Sequence, residues 1–159
     1  ALAVWGNRGA TIVRIVDAGA PITITLRAGT VLSLCKSATG RAFAAFFRSP
    51  FLKQMLDEEL REVSEAGKTA VTTIRRQLEK TLTEIRQHGI SRATGSLTPG
   101  INGFSAPVFD HSGRMVAAIT SLGSVGEFDV EWDSPVAKAM IASADKLSQR
   151  LGYKGASAE

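Results

Sequence analysis

Between Pro99 and Gly123 this chain has few options besides two paired strands around a tight turn. Ile101 to Phe109 and Arg114 to Leu122 are rich in apolar and β-branched residues. The Asp110-His111-Ser112-Gly113 segment between them supplies the turn: Asp and Ser side chains bond nearby backbone, and Gly tolerates a positive φ.

The remaining elements fall around that hairpin. Thr11 to Val16 and Ile22 to Leu26 read as strands, the second alternating Ile and Thr with period two before Leu26. Ala28-Gly29-Thr30 turns the chain ahead of Val31 to Leu34. Ser37 is placed to cap a helix through Ala42, Phe43, Phe46 and Phe47, and Ser49-Pro50 opens another that carries Leu52, Met55, Leu56, Leu60 and Val63 and stops at Gly67. Lys68 to His88 carries an apolar stripe of Val71, Ile74, Leu78, Leu82 and Ile85, and Gly89 ends it. Ile90 to Gly95 reads as a short strand. Ser134-Pro135 starts a last helix with Val136, Met140, Ile141, Ala144, Leu147 and Leu151 facing inward. Strands, three helices, strands and a helix in that order predict an α+β domain rather than repeated βαβ units.

At 159 residues, with 44% hydrophobic and 21% charged side chains, one ordinary globular domain is expected over residues 1–159. No run of roughly 18 apolar residues is present, so no transmembrane helix is predicted. The start, Ala1-Leu2-Ala3-Val4-Trp5, has neither Met nor the pattern of a signal peptide, so a domain excised from a longer cytoplasmic protein is expected. The formal charge of +4 has no Lys/Arg run behind it. Between Lys53 and Arg92 the signs interleave, so these residues offer no DNA-reading surface. A single cysteine, Cys35, excludes an internal disulfide and a Cys-pair metal site, and no metal or cofactor is expected.

Three blocks share a family resemblance. These are the hairpin with its Pro107-Val-Phe-Asp110 segment and following Val116-Ala-Ala-Ile-Thr120, the stretch Leu26-Arg-Ala-Gly-Thr-Val-Leu-Ser-Leu-Cys-Lys-Ser-Ala-Thr-Gly-Arg-Ala42, and Ile85-Arg-Gln-His-Gly-Ile90 followed by Gly95 and Pro99-Gly100. Together they span roughly residues 10 to 152 and resemble the effector-binding, C-terminal domain of IclR-family bacterial transcription regulators. The resemblance implies a GAF-like domain: a mostly antiparallel sheet of five to six strands flanked by helices. It implies a small-molecule sensor that assembles as a homodimer or homotetramer. DNA is then bound only through an N-terminal winged helix-turn-helix that these residues do not include. Ser33 stands where the family often has Pro, and Ser96 where it usually has Glu.

Carried over position by position, the family's effector pocket falls on Ile24, Leu32, Ala38, Thr39, Ala93, Gly103, Thr120 and Leu122. The chemistry suits a carboxylate. The first amides of the helix after Ser37 are unpaired within the helix and sit at its positive end. Gly40 permits close approach, Thr39 and Thr120 carry hydroxyls, and the remainder is apolar wall. So few polar groups favour a larger or more apolar acid, aromatic acids included.

Two other readings stand beside the sensor. One is a small hydrolase built on Cys35 with His88 or His111, although no spacing predicts a base beside that thiol. The other is a dimerisation module with a closed, empty pocket. Cys35 also suits a small buried hydrophobe, His88 a helix C-terminus and His111 an exposed turn. Ser121 to Gly126 lacks the Lys-Ser/Thr of a phosphate loop. Asp129, Glu131 and Asp133 do not continue into a calcium loop, and Asp133 or Ser134 is expected to cap the last helix.

Overall fold

The computed structural model describes residues 1–17, 19 and 26–155. The strand expected at Ile22 to Leu26 therefore lies outside the described residues except for Leu26, and so does Ile24.

Five strands form one antiparallel sheet: β1 (Leu2–Gly6), β2 (Gly9–Arg14), β3 (Ser91–Thr94), β4 (Ile101–Phe109) and β5 (Met115–Ser124), in the order β2-β1-β5-β4-β3. Helices α1 (Ala38–Phe46), α2 (Pro50–Gly67) and α3 (Val71–His88) follow β2, and α4 (Pro135–Arg150) follows β5. The fold is the expected α+β arrangement. β1 is the element missing from the sequence expectation. It is an interior strand, so Leu2-Ala3-Val4-Trp5 is apolar on both faces and lacks the alternation that reveals a half-buried strand.

The pleat divides the core in two. Along β4, Phe104, Ala106 and Val108 face α4, where Ala137 and Ala144 meet them. Ala3, Ala10, Ile12, Met115 and Ala118 face the other way, against Ala42 and Phe43 of α1. Outside α1, Leu56 and Leu60 of α2 pack with Leu78, Leu82 and Ile85 of α3, the buried part of the expected stripe.

Helix ends follow local chemistry. Ser37, Ser49 and Ser134 each accept a first-turn amide, so the last helix is capped by Ser134 rather than Asp133. Two expectations need correction. Lys68, with φ 51°, is the left-handed residue that ends α2; Gly67 is its last helical residue, and α3 starts only at Val71. Leu151 is 43% exposed rather than inward, because α4 has ended and the chain is turning toward Gly152.

Candidate functional site

The site is built where the first turn of α1 meets β3, β4 and β5. Register places Ser91, Ser105 and Thr120 in one row across those strands. The Thr120 hydroxyl donates to Ser105 Oγ at 2.9 Å and lies 2.7 Å from Thr39 Oγ1 on α1. All three side chains are buried. Ser91 Oγ, at the end of the row, has no hydrogen-bond partner among the described residues.

A carboxylate from α2 sets the position of the turn that leads into α1. Glu59 accepts from Leu34 N–H at 2.8 Å, from Cys35 N–H at 3.1 Å and from the Ser33 hydroxyl. The Ser33 carbonyl then accepts from Ser37 N–H and from Ser37 Oγ, while that same Oγ accepts from Gly40 N–H at 2.8 Å. Arg41 closes the turn from the other side, its Nε donating to the Cys35 carbonyl at 2.8 Å. Burial lowers the Arg41 pKa from its usual value. Burial, and after it the charge and hydrogen bonding of Glu59, pushes the Cys35 thiol up to about 12.

The capping leaves two amides over. Gly40 N–H is taken by Ser37 Oγ and Arg41 N–H by the Ser37 carbonyl. Among the described residues no acceptor takes the amides of Ala38 and Thr39. Both residues line a cavity of about 40 Å³ under the helix start.

Seven of the eight expected site residues border that one cavity: Leu32, Ala38, Thr39, Ala93, Gly103, Thr120 and Leu122. The eighth, Ile24, lies outside the described residues. Gly103 belongs there because a Cβ would come 2.5 Å from Leu122 Cδ2, so its bare backbone makes room for that side chain. Gly40 has a different role from the one expected. A Cβ on it would lie 2.0 Å from the Ser33 carbonyl oxygen, so the close approach it allows is to the Ser33-Leu34 backbone.

The structure adds lining residues that were not anticipated. Leu97 and Thr98 come from the loop between β3 and β4, Ile101 from the start of β4, and Ile12 from β2. Ile101 shares the parity of Gly103 and so was legible in principle. Leu97 and Thr98 arrive through a loop contact, with Ser96 Oγ donating to the Lys36 carbonyl at 2.7 Å. The Ser found in place of the family's Glu thus ties that loop to the turn before α1.

The residues of the rival readings lie apart. Cys35 is buried but does not border the cavity. His111 is exposed in the hairpin turn. His88 is exposed and stacks on Trp132, ring centroids 4.3 Å apart, while the Arg92 guanidinium lies 4.1 Å from the Trp132 ring centroid. The Ser121 to Gly126 segment continues β5 through Ser124 before turning. Among the described residues no three His, Cys, Asp or Glu side chains are grouped to hold a metal ion, and no helix is long and apolar enough to cross a membrane.

An antiparallel sheet covered by helices on both faces, with a mostly apolar cavity at a capped helix start, defines a GAF-like α+β domain. The sequence profile described as bacterial transcriptional regulator IclR C-terminal matches residues 1–149, and the chain belongs to that family. It is 29% identical over 153 residues to the uncharacterized HTH-type transcriptional regulator RhmR of Escherichia coli strain K12, covering 96% of this chain and 58% of that protein. Among solved structures, Pseudomonas aeruginosa HmgR superposes with a TM-score of 0.83 at 37% identity, over 98% of this chain and 60% of that one. Thermotoga maritima IclR gives 0.75 at 25% identity, over 96% and 60%. The chain spans about three fifths of the length of these relatives.

Proposed function

We propose that this chain is the effector-sensing half of an IclR-type transcription regulator and that the cavity beneath α1 receives a small carboxylic acid. In this reading the Ala38 and Thr39 amides, at the positive end of the helix, hold the carboxylate. The Thr39 and Thr120 hydroxyls orient it, and Leu32, Ala93 and Leu122 surround its body. An acid with an apolar or aromatic body suits such a lining.

The observation that carries the reading is the convergence of residues far apart in sequence on one cavity, bordered also by Ala38 and Thr39, whose helix-start amides have no acceptor among the described residues. About 40 Å³ is well below the roughly 300 Å³ at which small-molecule pockets usually begin. In this reading an effector enters by displacing part of the lining. That displacement is the means by which binding shifts the population of domain arrangements. Operator DNA would be bound outside these residues, by a homodimer or homotetramer in the cytoplasm.

Thermal unfolding against aliphatic and aromatic carboxylic acids tests this. An acid present at about 100 times its Kd stabilises the fold by roughly 2.7 kcal/mol. The expected result is a shift with one chemical class that is lost in Leu122→Trp and reduced in Thr39→Val. No shift with any acid would favour a closed dimerisation module. The Cys35 hydrolase has less support, because its thiol is buried and held protonated and does not border the cavity under α1.

A further inference from the structure

A second hollow, unrelated to the cavity under α1, opens where the sheet comes apart. β1 and β5 pair only at Leu2 with Ile119 and Ala3 with Ala118. Beyond that point Val4 to Gly6 and Met115 to Ala117 have no register partners in each other. On β5, Phe109 pairs with Met115 and Val108 with Ala117, so Val116 is an extra, bulged residue in the stretch that lacks β1 partners. The split widens into an open groove of about 1000 Å³ that reaches the end of α1.

The groove has a consistent chemistry. Its floor is aromatic: Trp5 stacks on Phe47 with centroids 4.7 Å apart, and Phe109 meets Phe46 edge-on at 6.0 Å. Its rim carries Arg48 after α1, Arg86 from α3 and Arg114 before β5, against Asp110 as the one acidic lining residue among those described. Arg86 donates its Nε to the Ala45 carbonyl at 3.0 Å and has no carboxylate partner among the described residues. Arg114 is shared with Asp110 at 3.6 Å, and Arg48 is exposed.

We propose that this split is a docking site for an extended acidic peptide from a partner protein, which adds as a strand beside β1 or β5. A sheet edge left without its neighbour offers backbone groups to a strand, aromatic walls take alternate apolar side chains, and three arginines on the rim select carboxylates. An open groove bordered by two strand stretches that lack each other as partners suits an extended chain better than a compact ligand.

Fluorescence anisotropy of a labelled octapeptide of alternating Glu and Phe, titrated with this chain, is the test. Two control peptides replace Glu by Lys or carry N-methyl groups on alternate amides. The acidic peptide should bind saturably. Both controls and the double variant Arg48→Glu/Arg86→Glu should weaken binding by about tenfold or more. If circular dichroism shows the double variant unfolded, Arg48→Glu alone at its exposed site gives the charge comparison. Equal binding of the Glu and Lys peptides, or full binding of the N-methylated one, overturns the proposal. So does sedimentation equilibrium showing a dimer that the charge reversals dissolve, since a second copy of the chain would then fill the groove.

Discussion

The Thr39 hydroxyl on α1 lies 2.7 Å from the Thr120 hydroxyl on β5, a buried polar link between helix and sheet at the edge of the cavity. Thr120→Val keeps the shape but strips partners from Thr39 and Ser105 together. Leaving buried hydroxyls unpaired costs about 1–3 kcal/mol. Urea unfolding should show that loss. In a double-mutant cycle, Thr39→Val/Thr120→Val should cost less than the sum of the single changes, because Thr39 no longer has a hydroxyl to strand. Additive losses would mean that the two hydroxyls act independently.

Gly40 is a packing requirement. In Gly40→Ala the new Cβ meets Ser33 backbone at 2.0 Å, and backbone held by Glu59 has little freedom to move aside. Overpacking of that kind is expected to cost about 3 kcal/mol or more. Gly126→Ala is the control. Nothing lies within 4 Å of its added Cβ and its φ is not left-handed, so the change should stay within about 0.5 kcal/mol. Thermal unfolding of the pair separates the contact at Gly40 from a general effect of removing glycine.

Cys35 should be a poor nucleophile while the chain is folded. Its thiol is 7% exposed and pushed up to about 12, so almost no thiolate exists at pH 8. A disulfide reagent should modify it slowly in buffer and rapidly in guanidinium chloride. The group is also linked to stability. An unfolded thiol ionises near 9, so the Cys35 contribution is complete below that value and is lost as pH rises toward 12. Fast modification of the native chain at pH 8 would revive the hydrolase reading.

Asp110 predicts an acid limb in the stability profile. Its Oδ1 accepts from the Ser112 hydroxyl at 2.6 Å and from the amides of Ser112 and Arg114. The Ser112 hydroxyl first, then those amides and the Arg114 charge, pull its pKa from 3.8 down to about 2. A carboxylate depressed on folding contributes stability that is present above its unfolded value and disappears as pH falls through the folded one. The wild-type melting temperature should therefore fall between about pH 4 and pH 2 more steeply than that of Asp110→Asn. Parallel profiles would show that the turn is held by backbone geometry alone.

Local chemistry was legible in the sequence wherever it sufficed. Ser37, Ser49 and Ser134 mark helix starts, Asp110 to Gly113 marks the turn, and β4 has the expected bounds, because capping, turn formation and alternation involve residues a few positions apart. The family resemblance brought seven cavity residues together on the right elements. What it could not show is how the helix start is held. Glu59 reaches back to Ser33, Leu34 and Cys35 from a different helix, and no periodicity marks a carboxylate that pairs across such a separation.

By itself, then, the sequence determined the α+β class and most of the element types, which rest on near-neighbour physics and on side-chain pattern, while the expected cavity lining came from the family resemblance. Tertiary structure alone decided that Gly40 faces backbone rather than ligand, that β1 is an interior strand, that the Leu97 loop borders the cavity and that the sheet splits at Val116. Each of these depends on which surfaces meet once strands and helices are packed. Contacts between distant residues are set by burial of the whole core, so no window along the chain contains them.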